Sequence, residues 1–154
     1  MLAAIRPDDW NLALLVHVLG AMLLIGALVL AASALFLAWR DHSGPLVRLG
    51  YRALLLGALP SWLVMRIGGE WIASEEKLTD AKLTWLDIGF STADGGFLLL
   101  LIGTVLSGLA ARRAGPATGG EARSSGFART SAVLVSLLLP MYVVALWAMT
   151  AKPT

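Results

Sequence analysis

Cysteine is absent, which excludes disulfides, thiolate metal sites and thiol catalysis and leaves the redox compartment unspecified. Charge is scarce: 14% of the 154 residues are Asp, Glu, Lys or Arg, against about 25% in an ordinary soluble domain. There are only two histidines, and the net charge is +2 with no basic stripe of the kind nucleic-acid binding needs. No Ser-His-Asp triad, phosphate loop or multi-ligand metal motif is present. The N-terminal lead carries Arg6, Asp8 and Asp9 and no small-residue cleavage site, so a removable signal peptide is not expected. Neither end shows a lipidation motif.

What the chain has instead is hydrophobicity, at 58% of residues. Residues 10–39 read WNLALLVHVLGAMLLIGALVLAASALFLAW, with no Asp, Glu, Lys or Arg. About 20 apolar residues cross a bilayer as a helix, so this run is long enough. Charges elsewhere cluster between further apolar runs. The sequence predicts an all-α polytopic membrane protein, one domain over residues 1–154. Four transmembrane helices are expected, at about 10–39, 46–68, 86–111 and 127–151, in an up-down-up-down bundle. Gly44 and Pro45 break the first connection. Residues 67–87 are polar, with Glu70, Glu75, Glu76, Asp80 and Asp87 against Lys77 and Lys82. A short amphipathic surface helix is expected there, with Trp71 and Trp85 at the membrane–water interface. The Gly-rich segment before span four reads as a flexible loop. Pro60 and Pro140 lie inside spans two and four, where each removes a backbone donor and is expected to kink its helix.

Orientation follows from Lys and Arg in short loops. The first and third connections hold Arg40, Arg48, Arg52, Arg112, Arg113, Arg123 and Arg129. The opposite side holds Arg6, Arg66, Lys77, Lys82 and Lys152, with most of the acids. The first and third connections are therefore expected in the cytoplasm, and both termini outside a bacterial inner membrane.

An internal repeat suggests two pseudo-symmetric hairpins. Leu23-Leu24-Ile25-Gly26 matches Leu100-Leu101-Ile102-Gly103, and Leu59-Pro60-Ser61-Trp62 matches Leu139-Pro140-Met141-Tyr142. A two-span unit repeated once gives a pseudo-two-fold axis along the membrane normal. On the first offset His17 aligns with Asp94. Small residues recur on both odd-numbered spans, as Gly20, Ala27, Ala31 and Ala34 and as Gly96, Gly103, Ser107 and Ala111. Such residues let membrane helices approach closely, so spans one and three are expected to touch along them.

Polar residues within spans are costly in hydrocarbon and often mark function. His17 reads either as a haem or metal ligand or proton-transfer group, or as a packing histidine bonded to a neighbouring helix. Asp87, Ser91 and Asp94 share one face of span three at spacings of four and three. Asp87 and Asp94 read as interfacial acids near a helix start, or, with Ser91, His17 and Arg66, as an outward-facing polar cavity. Arg66 and Glu70, four apart, are placed to pair. His17 and Asp94 are both expected to point into the bundle, in the outer half of the membrane. His42 lies in a turn with no His or Cys beside it in the sequence.

The run Leu14-Leu15-Val16-His17-Val18-Leu19-Gly20, followed by Gly26, resembles the first span of a loose group of small bacterial four-span membrane proteins. The group includes an uncharacterised integral membrane family and, more distantly, copper-resistance D-like and protoporphyrinogen-oxidase-like (HemJ-type) proteins. The likeness covers about a quarter of the chain. It implies His17 as a ligand for haem b. The arginine and second histidine that follow the first span in the HemJ-type proteins have no match here. Three functional expectations result. The first is a non-enzymatic accessory subunit or small homo-oligomer, with the lipid bilayer and other membrane subunits as partners. The others are a haem- or small-ligand-binding protein using His17, and a small transporter.

Overall fold

The structure, a computed structural model, describes residues 8–75, 84–114 and 126–151. Described residues are helical apart from short turns. Helix α1 spans Asp8–Asp41. A second rod is continuous from Gly44 to Glu75 and is built of α2 (Gly44–Arg52), a π-helical stretch (Ala53–Ala58) and α3 (Leu59–Glu75). Helices α4 (Thr84–Arg113) and α5 (Gly126–Ala151) complete the chain. Three stretches are long and apolar enough to cross a membrane: Leu12–Asp41, Asp87–Arg113 and Gly126–Met149. Glu76, Asp80, Lys77, Lys82, Arg123, Arg6 and Lys152 lie outside the described residues, as does segment 115–125.

The turn after α1 is made by His42, not by the glycine and proline beside it. His42 adopts φ 53°, a left-handed conformation in which non-glycine residues are uncommon and His is enriched. The Ser43 amide then donates to the Ala38 carbonyl at 3.2 Å, a six-to-one bond that caps orphan carbonyls at a helix end. Gly44 and Pro45 open α2, where proline's missing N–H costs nothing. At the far end of the rod, Ile67–Glu75 continues α3. The first half of the polar connection is therefore an extension of the second rod and not a separate surface helix. Helix extension keeps its backbone hydrogen-bonded without a new start.

The two interior prolines are accommodated differently. In the second rod the Leu59 amide donates to the Leu54 carbonyl, five residues back, and Pro60 follows at once. The wider turn relieves the clash that a proline ring makes with the carbonyl four residues earlier. Helix α5 continues through Pro140 unbroken.

Around the bundle, α1 packs on the second rod and on α5, and α4 packs on α5 and on the second rod. Helices α1 and α4 are diagonal and share no packed face, so the expectation that spans one and three touch is overturned. Their small residues serve their own hairpins. Gly20 lies on the backbone of Met65, and Ala27 on Gly57 of the second rod; Gly96 lies on Tyr142, and Gly103 on Val135 of α5. The main core joins all four helices through Leu24, Leu28, Leu54, Trp62, Leu100, Val135 and Leu138.

Burial repeats along the chain in a register that the sequence match missed by one residue. Ala13, Gly20, Leu24, Leu28, Ala31 and Ala34 are buried. So are the residues 76 positions on: Gly89, Gly96, Leu100, Thr104, Ser107 and Ala110. The match of Leu23 with Leu100 instead pairs a side chain 54% exposed with one fully buried. In the second rod, Val47, Gly50 and Leu54 correspond to Ala128, Ser131 and Val135, 81 positions on; Ala58, Trp62 and Gly68 correspond to Leu138, Tyr142 and Ala148, 80 positions on. The spacing drops by one inside the π-helical stretch, which holds one extra residue per turn. That extra residue keeps both ends of the rod facing the core, and the prolines fall in register beyond it.

Candidate polar site at the Arg66 end

His17 sits on the inner stripe of α1, one turn below Gly20. Its backbone presses on Gly68, where an added Cβ would come within 2.7 Å of the His17 nitrogen. Its ring lies over Gly69. The two glycines thus make a slot in α3 that the imidazole fills. There Nδ1–H donates to the Met65 carbonyl at 2.8 Å, which fixes the tautomer and directs the lone pair to Nε2.

Arg66 is the hub of this end. Its Nε–H donates to Asp94 Oδ1 at 3.3 Å, and a terminal nitrogen pairs with Glu70, four residues on in α3. Its guanidinium carbon stands 4.7 Å from the centroid of the Phe90 ring, one turn before Asp94 on α4. The cation is thus held by two carboxylates and an aromatic face. Arg66 is 23% exposed, while Glu70 and Asp94 are 58% and 64% exposed. Exposed pairs of this kind contribute about 0–1 kcal/mol in water. Their main effect here is to bridge α3 and α4 and to neutralise Arg66 near one end of the bundle. Farther out, Trp71 Nε1–H donates to Glu75 at 3.3 Å, an amphipathic ring with its polar edge turned to a carboxylate.

The predicted cavity residues separate into two groups. Arg66 and Asp94 come together, while His17 bonds on the other side of α3, to Met65. Asp87 and Ser91 are exposed on the outer face of α4. His17 and Asp94 therefore do not form a pair, and Asp94 does not point into the bundle. The reason is register: in the burial pattern His17 corresponds to Ala93, and Asp94 to the exposed Val18. One residue along a helix is about 100° of rotation, which carries Asp94 from the inner to the outer face. The ion pair with Arg66 makes that position tolerable. Among the described residues no group of three or more His, Asp or Glu side chains is placed to hold a metal ion.

Deeper in the bundle, Trp62 stacks on Phe97 with ring centroids 4.0 Å apart, and its Nε1–H donates to the Ala93 carbonyl at 3.0 Å. Tyr142, at the corresponding place on α5, is buried, and its hydroxyl has no hydrogen-bond partner among the described residues. Sequence reasoning found the Arg66–Glu70 pair, because spacing of four is readable on one helix. It missed Phe90, Met65 and the Arg66–Asp94 bridge, which depend on how α3 and α4 are rotated toward one another.

The fold and this site define a class: an all-helical bundle with three helices long and apolar enough for a membrane and a charged cluster at one end. No known family, curated protein or solved structure matches the chain.

Proposed function

We propose that the chain is a four-span bacterial inner-membrane protein without catalytic activity of its own, an accessory subunit of a larger membrane complex or a small homo-oligomer. The observation that carries this reading is the apolar exterior of the second rod. Leu49, Leu55, Leu56, Leu63, Val64 and Ile67 are exposed, on a rod that packs antiparallel to α1 along most of its length. A soluble bundle does not carry such a surface on every helix, and lipid solvates it without penalty. Arg48 and Arg52, at the start of the rod, reach the headgroups by snorkelling. On this reading the α2 start lies in the cytoplasm and the Arg66 end outside. The burial registers support two pseudo-symmetric hairpins about an axis along the membrane normal.

The inner polar groups favour a structural role. Thr104 and Ser107 hydroxyls donate to carbonyls of their own helix, and Ser131 donates across to the Gly103 carbonyl at 2.8 Å. Membrane helices use such bonds as glue. Alkaline carbonate extraction tests the reading: the chain is expected to stay with the membrane pellet, and its release into the supernatant would overturn the integral-membrane assignment.

One observation favours a second reading, a haem- or small-ligand-binding protein. With Nδ1 tied to a backbone carbonyl, His17 has the arrangement that orients ligating histidines, and Nε2 is left as the ligating nitrogen. The likeness to HemJ-type proteins points to the same residue, which would hold the haem together with a second ligand from another copy or from a non-histidine side chain. A Soret band in the purified protein that His17→Ala removes would establish this reading; its absence would leave His17 as a packing residue.

A further inference from the structure

All four rods meet at the end opposite Arg66. Ala38 of α1, Val47 of α2, Ala110 of α4 and Ala128 of α5 form a small buried cluster there, with Leu46, Ala111 and Phe127 packed on it. Arg40, Arg48, Arg52, Arg112, Arg113 and Arg129 lie around it. Among the described residues the one carboxylate at this end is Asp41, and it pairs with Arg40.

Two of these arginines are held by rings instead of acids. The Arg113 guanidinium carbon lies 4.4 Å from the Phe127 ring centroid, and that of Arg129 lies 5.1 Å from the Trp39 ring. A ring covers one face of a guanidinium and leaves the N–H edge free to meet an oxyanion. It also fixes the side chain, so less freedom is lost when an anion is bound.

The helix dipoles add to the imbalance. Helices α2 and α5 begin at this end, and neither has an acid in its first turn. Each carries an arginine near its start, Arg48 and Arg129. The positive end of a helix favours an anion, so cation and dipole add where they ordinarily cancel. At the other end of the bundle Arg66 has two carboxylates.

We propose that the N–H edge of Arg129 binds the phosphate of an anionic phospholipid from the surrounding leaflet, with Arg113, held on the α4 side of α5, adding to the positive field at that surface. The inference rests on the four-span reading. A lipid fits better than a soluble phosphate because apolar surface lies one turn below the cations. Phe36 and Val133 are exposed there, and the Phe36 ring meets Trp39 edge-on with centroids 5.9 Å apart. A lipid can set its phosphate on Arg129 and an acyl chain along this strip between α1 and α5. A glycerol headgroup keeps the net negative charge; a choline headgroup brings a cation into the same arginines.

The test is native mass spectrometry of the full chain released from equimolar phosphatidylglycerol and phosphatidylcholine. Wild type is expected to retain phosphatidylglycerol in preference. An arginine near an anionic surface contributes roughly a fivefold factor. The single variants Arg113→Gln and Arg129→Gln are therefore each expected to weaken the preference by about that factor, and the double variant to abolish it. Arg66→Gln at the opposite end is expected to leave it unchanged. For wild type, raising the salt to about 1 M, where the screening length is about 3 Å, is expected to reduce the preference without any substitution. Equal retention of the two lipids by wild type, or full preference in the double variant, would overturn the proposal. So would displacement of the lipid by millimolar inorganic phosphate, which would make the site one for a soluble anion. A chain that resists carbonate extraction yet shows no lipid preference loses this proposal and keeps the four-span reading.

Discussion

In the hairpin of α1 and α3, Gly20 and Gly68 let backbone meet backbone; in the hairpin of α4 and α5, Gly89 and Gly96 receive side chains. A Cβ at Gly20 would stand 2.5 Å from the Met65 nitrogen, and one at Gly68 would stand 2.7 Å from the His17 nitrogen. Neither obstacle can rotate aside. At Gly96 the obstacle is the Tyr142 hydroxyl at 2.6 Å, and at Gly89 it is the terminal methyl of Met149. The same residue type thus sets interhelical distance in one half and makes a socket in the other. The second rod also carries an extra residue in its π-helical stretch, which α5 lacks. Two hairpins with one burial pattern have in this way become closed by different means.

The largest expected effect comes from removing single residues. Deleting the exposed Leu56 takes out the extra residue and gives the second rod the spacing of α5, so the bundle is expected to fold with modest loss. Deleting the exposed Leu137 instead turns Tyr142 and Ala148 about 100° away from the core, and folded protein is expected to disappear. Circular dichroism and size-exclusion profiles in detergent distinguish the two. Equal damage from both deletions would break the correspondence between the rods.

Next come the backbone contacts. Gly20→Ala and Gly68→Ala force the first hairpin apart and are expected to cost about 2–3 kcal/mol each, in the range of overpacked cores. Gly96→Ala is expected to cost about 1–2 kcal/mol, because a ring is stiffer than a methionine but less fixed than a backbone. Gly89→Ala should fall below about 0.5 kcal/mol, since the methionine tip moves easily. Reversible unfolding in mixed micelles measures the series. A cost at Gly89 equal to that at Gly68 would mean that the glycines of the two hairpins do the same work.

The smallest effect has the opposite sign. Tyr142→Phe removes a buried hydroxyl with no partner and is expected to stabilise by up to about 1 kcal/mol. Loss of stability on that change would show that the hydroxyl finds a partner in the folded protein.

Element positions were legible in the sequence to within a few residues, except where α3 runs on to Glu75. Apolar length is a property of one segment, and so are the arginines that close α1 and α4. What failed was angular. The match of Leu23 with Leu100 is off by one residue, and on a helix that is enough to bring Asp94 wrongly to the inside. The extra residue at Ala53–Ala58 has no sequence signature beyond Pro60 just after it. His17 was legible as an inward-facing group because a lone imidazole in an apolar run must find a partner. Which partner, the Met65 carbonyl, depended on glycines in another helix. Arg66 was readable as the partner of Glu70 on its own helix; its bonds to Asp94 and Phe90 required the rotation of α4.

The central claim is that the second rod crosses the membrane together with the three longer helices. Because the chain has no cysteine, single cysteines at Ser43, Ser74 and Gly119 can be labelled from either side with an impermeant maleimide. With four spans, Ser74→Cys is expected to react from outside in intact cells, and Ser43→Cys and Gly119→Cys to react only after the membrane is opened. Labelling of positions 43 and 74 from the same side would show that the second rod does not cross, and would contradict the four-span bundle.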